Sequence, residues 1–415
     1  MTAFYRDNGS LMSDQLSLTA LAEEYGTPLY VYNRGAIESA WQEFSKSLKG
    51  HPHLICYAVK ANSNLAILDA LARLGSGFDI VSEGELKRVL AAGGRPEKIV
   101  FSGVGKTAKE MEAGLAAGIR CFNVESPSEL ERLATVASAH GSKANISLRI
   151  NPDVDAQTHP YISTGLKENK FGIGMHEAMT TYRRAAELDS IEVHGIDCHI
   201  GSQLTKLEPY ADAVKLLIEM VDKLAEEGIV LSHIDVGGGQ GIQYSEEESS
   251  LDVAAWATCI REAIGERSLE ILVEPGRYIV GPAGVLVTQV EYLKSNEDRH
   301  FAVVDAAMND LIRPALYSAW QAIEPVETLD RTTETYDVVG PICESADFLG
   351  KQRELAIAEN DLLCVRSAGA YASVMSSNYN TRPRVAEVMV DGDQSHLVCA
   401  RENVDELFAR ESLLP

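Results

Sequence analysis

At 415 residues the chain is longer than one hydrophobic core usually organises, which favours one large domain and a smaller one. A hydrophobic share of 45% beside 24% charged residues excludes the disordered and fibrous classes. A formal net charge of -24, with no long Lys/Arg run to reverse it locally, excludes nucleic acid and anionic membrane surfaces as partners.

The first residues lack the basic and then apolar regions of a signal peptide. No apolar stretch is long enough to cross a bilayer, so a cytoplasmic protein is expected. Cysteines stand at 56, 121, 198, 259, 343, 364 and 399, odd in number and never in Cys-x-x-Cys spacing. That argues against a disulfide framework and against a zinc site, and no metal is expected.

From residue 54 onward, short apolar β-rich runs alternate with helical segments. The runs fall at 54–59, 77–81, 99–102, 121–124, 146–150, 193–198, 234–236 and 269–273. Between them, 64–74 and 83–92 repeat apolar residues at three- and four-residue steps, the period of a helix with one buried face. Strands buried on both faces and alternating with helices imply a parallel sheet. Eight such units over about 250 residues make a (β/α)8 barrel of the TIM type. The barrel is placed at 34–278, with longer units around 152–190 and 202–232 where strand-to-helix loops build a site. After Gly281 the texture changes to β-rich runs at 285–292, 301–304, 336–339, 362–366 and 385–390, then a short helix near 403–411. This reads as a C-terminal, mostly antiparallel β domain, made of 1–33 plus 279–415, whose sheet Leu29-Tyr-Val-Tyr32 could join.

Barrel chemistry sits at the C-terminal ends of the strands. The first strand runs into Tyr57-Ala-Val-Lys60-Ala-Asn62. A lysine amine is ordinarily protonated and a poor nucleophile, but a desolvated or positively flanked one forms Schiff bases. Position alone leaves Lys60 equally open as a solvated strand-end lysine. The sixth strand ends in His199-Ile-Gly-Ser202, which supplies a flat ring and a hydroxyl, although a lone His is more often a packed core residue. The seventh ends in Asp235-Val-Gly237-Gly-Gly239, either a plain tight turn or a place where backbone N–H groups converge on an anion. The eighth ends in Glu274-Pro-Gly276-Arg277, where Glu274 either pairs with Arg277 or faces a pyridine nitrogen and keeps it protonated. Taken jointly on one rim, these groups specify a Schiff-base cofactor that carries a phosphate.

These motifs occur in order with Gly340-Pro-Ile-Cys343-Glu344-Ser-x-Asp347, and over nearly its whole length the chain resembles the diaminopimelate decarboxylases. Those are pyridoxal-phosphate enzymes of fold type III, with an alanine racemase-like architecture. The resemblance implies that Lys60 carries pyridoxal 5'-phosphate, that His199 stacks on its ring and that Glu274 binds its nitrogen. Ser202, Gly238, Gly239, Gly276, Arg277 and Tyr371 would hold the phosphate. It further implies decarboxylation of meso-2,6-diaminopimelate to L-lysine and carbon dioxide, the last step of lysine biosynthesis by that route.

Substrate choice is expected to lie with the groups that read the distal end, where a carboxylate and an ammonium must both be matched. Arg277, Arg313 and Tyr317 would take the first and Glu344 the second, and Tyr371 would also bind substrate. Arg313 and Tyr317 are four residues apart, so one helical turn would put them on one face; without the resemblance Arg313 reads as a surface ion-pair residue. Ornithine-type relatives carry Asp after the matching cysteine and lack the arginine pair. Cys343 would be the proton donor, and with Glu344 it would complete the site of the partner subunit in a homodimer. Segment 164–172 also resembles this subfamily, whereas Tyr278 and Ala346 depart from its pattern. Decarboxylases of ornithine, arginine or lysine, a racemase of the same fold and a cofactor-carrying regulatory protein are the alternatives left open.

Overall fold

The computed structural model describes residues 3–154, 169–297 and 299–415. Its Cα packing separates two compact units: Ala40–Ile242 with Ser249–Tyr278, and Met1–Ser39 with Gln243–Glu248 and Ile279–Pro415. Of the segment 164–172, residues 164–168 lie outside the described residues.

The first unit is the barrel. Its parallel strands are β1 (His53–Ala58), β2 (Gly77–Ile80), β3 (Ile99–Phe101), β4 (Cys121–Val124), β5 (Ala144–Asn151), β6 (Ile191–Asp197), β7 (His233–Asp235) and β8 (Glu270–Val273). Each pairs with the next, and Ile271, Leu272 and Val273 of β8 pair with His53, Leu54 and Ile55 of β1, so the sheet closes on itself and has no free edge. Both faces are buried, which is why the strands read as continuous apolar runs. Leu54, Cys56, Val100, Cys121 and Leu272 pack inside as one apolar layer. Alternation along a strand brings positions two residues further on to the same interior face. There the residues are polar and buried: Asp79, Ser102, Asn123, Arg149, Asp197, Asp235 and Glu274. An apolar layer below and a polar layer at the strand ends is the arrangement from which a site is built.

The crossover helices begin where the sequence supplies caps. Asn64 caps Leu65–Arg73 and Ser82 caps Glu83–Ala91. Thr107 and Glu110 form a reciprocal capping box on Ala108–Ala117, which ends on Gly118 at φ 68°. Each such cap contributes about 1 kcal/mol. Among the described residues no helix is long and apolar enough to cross a membrane.

The second unit is built on a nine-stranded, mostly antiparallel sheet. Leu29–Asn33 does join it, antiparallel to Gly284–Ser295 and parallel to Ala386–Asp391. Alternate residues of these three strands, Leu29, Val31, Val285, Val287, Val388 and Val390, share one apolar core. Three of its strands, Ile323–Pro325, Phe348–Leu355 and Gln394–Cys399, escape the sequence pattern. Phe348–Leu355 carries Gly-Lys-Gln-Arg in its middle, and Gln394–Cys399 is an edge strand with mostly exposed residues. The helix expected near 403–411 is instead a single 3-10 turn at Val404–Glu406 followed by turns. None of its residues is buried, so no packing offsets the cost of nucleating a helix.

Candidate active site

Lys60 sits in a 3-10 turn, Val59–Ala61, directly after β1. Its flanking residues Val59 and Ala61 are buried, and the Tyr57 hydroxyl donates to the Asn62 carbonyl at 2.9 Å, which pins the turn. The Lys60 ammonium lies 2.5 Å from an Asp79 carboxylate oxygen; the lysine side chain is 34% exposed, the aspartate 0%. The sequence predicted the lysine and missed its counter-ion. The signal was a charge inside the apolar run Gly77-Phe-Asp79-Ile80.

Strand ends β6 to β8 continue the mouth, with β8 beside β1. At Gly238 the backbone N–H donates to His199 Nδ1 at 3.1 Å, and the Tyr210 hydroxyl donates to the Gly238 carbonyl at 3.0 Å. With Nδ1 an acceptor, the neutral ring carries its proton on Nε2. Burial first, then the charges of Arg149 and Lys60, hold the His199 pKa well below the usual value, so the ring stays neutral. The glycines are required by close approach. A Cβ on Gly238 would lie 2.1 Å from the Glu274 carbonyl, and one on Gly239, at φ 92°, 2.1 Å from that of Gly201. Gly276 is similarly confined, its Cβ position 2.9 Å from the Ala61 methyl. Arg277 is buried and donates to the Ser202 hydroxyl at 3.0 Å.

Glu274 accepts from the Ser102 hydroxyl and the Asn123 amide, both at 3.4 Å. Burial, followed by Asp79, Asp235 and Asp197, pushes its pKa well above the carboxylate range. Arg149 donates to Glu125 at 3.1 Å. Burial disfavours its charge, but Glu125, Asp197, Glu274 and Asp79 together hold it firmly protonated. Glu125 also accepts the amides of Gly103 and Gly172, at 2.8 and 3.1 Å, and so ties loops after β3 and β5 together. None of Asp79, Glu125, Arg149 or Asp197 was singled out from sequence.

The remaining predicted residues belong to the β unit. Arg313–Tyr317 is a short helix, so Arg313 and Tyr317 do share a face; Arg313 is buried with its guanidinium 4.8 Å from the centre of the Tyr244 ring. Cys343 and Glu344 are exposed on a braced loop. Buried Asp347 accepts the amides of Met308 and Ile342 at 2.7 Å each, and Asn380 accepts that of Cys343 at 3.1 Å. A Cβ on Gly340 would lie 2.6 Å from Asp347 Oδ2, which accounts for that glycine. Tyr371 is half-buried with φ 54°, a left-handed conformation that side chains rarely adopt and that clusters at functional positions.

Residues 34–281 match the family model of the pyridoxal-dependent decarboxylases, pyridoxal binding domain. The chain is also 60% identical over 414 residues to the diaminopimelate decarboxylase of Pseudomonas aeruginosa, covering 100% of this chain and 99% of that one. The chain belongs to the diaminopimelate decarboxylase family. Solved structures with this name include that from Helicobacter pylori complexed with L-lysine, 44% identical, with a TM-score of 0.92 over 95% of this chain and 98% of the other. The M. jannaschii enzyme, in co-complex with L-lysine, is 36% identical, with a TM-score of 0.95 over 100% and 98%. The barrel with its β domain is thus the architecture of diaminopimelate decarboxylases, as the strand pattern had indicated.

Proposed function

We propose that this chain decarboxylates meso-2,6-diaminopimelate to L-lysine and carbon dioxide with pyridoxal 5'-phosphate, as a cytoplasmic homodimer. The observation that carries the reading is the lysine at the end of β1, on one rim with a glycine cradle and a buried carboxylate after β7 and β8, in a chain so similar to diaminopimelate decarboxylases over its full length.

The barrel residues fit the cofactor. Lys60 offers an amine held by a carboxylate, His199 a neutral flat ring, and Glu274 a buried acid for a ring nitrogen. Backbone approach at Gly238 and Gly239 leaves no room for side chains, as a phosphate cradle requires, and Ser202, Gly276, Arg277 and Tyr371 would complete it. Bound pyridoxal phosphate supplies the electron sink for the pair left when the carboxylate departs. The chain's own part is positional and protonic. Asp79 orients Lys60 and balances its charge, and the Gly238 amide fixes the tautomer of His199. Arg277, Arg313 and Tyr317 would bind the distal carboxylate and Glu344 the distal ammonium, with Tyr371 also against the substrate, a match that a simple diamine precursor cannot make. The Cys343 thiol would deliver the proton that replaces the lost carboxylate. Exposure of Cys343 and Glu344 on a rigid loop suits residues that complete the partner subunit's site.

The test is carbon dioxide release from purified protein with pyridoxal phosphate, offered meso-, LL- and DD-diaminopimelate, lysine, ornithine and arginine in parallel. Release from the meso isomer alone, with L-lysine formed, is expected. Turnover of ornithine or arginine instead would overturn the roles of Arg313 and Glu344 while keeping the barrel site.

A further inference from the structure

The barrel mouth carries more acid than the function above uses. Asp197, Asp235 and Glu274 are buried, and each offers an oxygen within 4.8 Å of the others. Their strands are neighbours, and the β6–β7 register sets Asp197 beside Asp235. Asp235 Oδ1 accepts the Gly237 amide at 2.9 Å. Asp235 Oδ2 and Asp197 Oδ1 are buried and accept no hydrogen bond.

Other charged groups facing these three are Asp79, Glu125, Lys60 and Arg149. Each cation already has its own carboxylate: Lys60 pairs with Asp79 and Arg149 with Glu125. The neighbouring His199 is neutral, and the thiols of Cys56, Cys121 and Cys198 are pushed up by burial and stay protonated. Three ionised carboxylates, buried with oxygens within 4.8 Å of one another and without a cation of their own, are not a stable arrangement. A proton between them turns repulsion into a hydrogen bond, as it does in paired-aspartate sites.

We propose that Asp197, Asp235 and Glu274 share at least one buried proton at neutral pH, and that Asp197 and Asp235 are positioning residues whose negative charge keeps that proton on Glu274. This rests on the reading of Glu274 as the partner of the cofactor's ring nitrogen, and deepens it: Glu274 meets that nitrogen as an acid able to give a proton, and is left a carboxylate when it does. Burial raises all three carboxyl pKa values in support; neighbouring acids add to it at Asp197 and Glu274, whereas at Asp235 the Gly237 amide and a hydrogen bond with Glu274 oppose it and Asp79 adds to it.

Carbon-13 NMR of the full chain, side-chain-labelled at glutamate and assigned by loss of one resonance in Glu274→Gln, reads the proton directly. In cofactor-free protein Glu274 is expected at its protonated position at neutral pH. Asp235→Asn and Asp197→Asn keep shape and remove charge; each should lower the Glu274 titration midpoint by about one pH unit or more, a tenfold loss of proton affinity. A merely structural role would lower the melting temperature and leave the midpoint in place. Ionised Glu274 at neutral pH, or an unmoved midpoint in whichever of the two variants folds, overturns the proposal. So does a stoichiometric divalent cation that a chelator removes from wild type and that Asp235→Asn lacks. Loading with pyridoxal phosphate separates the two levels: if no near-visible absorbance dependent on Lys60 develops, the cofactor reading fails, while the titration stands or falls by itself.

Discussion

In the barrel unit, candidate side chains are held by side chains and amides of neighbouring strand ends: Lys60 by Asp79, His199 by Gly238, Glu274 by Ser102 and Asn123, Arg277 by Ser202. In the β unit, Cys343 and Glu344 stand exposed, and bonds fix their loop through its backbone. Strand register aims the first group before any ligand arrives, whereas the second is aimed by the loop and keeps its reactive atoms accessible. Substitutions in the barrel should therefore disturb stability and chemistry together, and those at the loop chemistry alone.

The largest expected effect is that of Lys60→Ala, which should lower carbon dioxide release by about 10⁴-fold or more, as for loss of a covalent catalytic group. Activity within tenfold of wild type would remove the barrel's claim to the chemistry. Cys343→Ala should lower kcat by about 10²–10⁴-fold and leave the melting temperature unmoved, because an exposed thiol contributes little packing. Early melting of this variant would erase the contrast between the units. Mixing it with Lys60→Ala should restore some activity through hybrid dimers; if subunits exchange and none returns, the sites are not shared.

A smaller effect is expected at Gly238→Ala, where the added methyl meets the Glu274 carbonyl and should cost about 1–3 kcal/mol in urea unfolding while weakening retention of pyridoxal phosphate. The β unit has a titration to compare with the barrel's acids. Burial pushes Asp310 up to about 7, while an unfolded aspartate sits at about 3.9. The folded state therefore binds the extra proton, and the stability it contributes is fully present below about pH 4 and is lost as pH rises through 7. The slope from one such group is at most about 1.4 kcal/mol per pH unit, and Asp310→Asn should flatten it in unfolding measured between pH 4 and 8. At the small end, Arg183→Ala on the barrel's outside breaks an exposed, solvent-screened pair with Glu227 and should leave the urea unfolding midpoint unmoved. A shift would mean that the barrel's outside, too, depends on fixed pairs.

Much of the architecture was legible because burial on both faces forces apolar runs. The run 121–124 coincides with β4, and the other barrel runs differ from their strands by one or two residues at the ends, where backbone pairing replaces side-chain pattern as the limit. Lys60, His199 and Glu274 were legible as polar residues placed immediately after such runs. Phe348–Leu355 was not, because its middle residues are polar, and the helix near 403–411 failed because no core receives it.

By itself the sequence determined the period and order of the elements, and with them which residues stand at the strand ends, since local burial patterns and glycine positions are written residue by residue. Only the tertiary structure decided which charges face each other. The Lys60–Asp79 pair, the Arg149–Glu125 pair and the cluster of Asp197, Asp235 and Glu274 join residues far apart in the chain. Barrel closure and strand register alone bring them into the dry space where their charges matter.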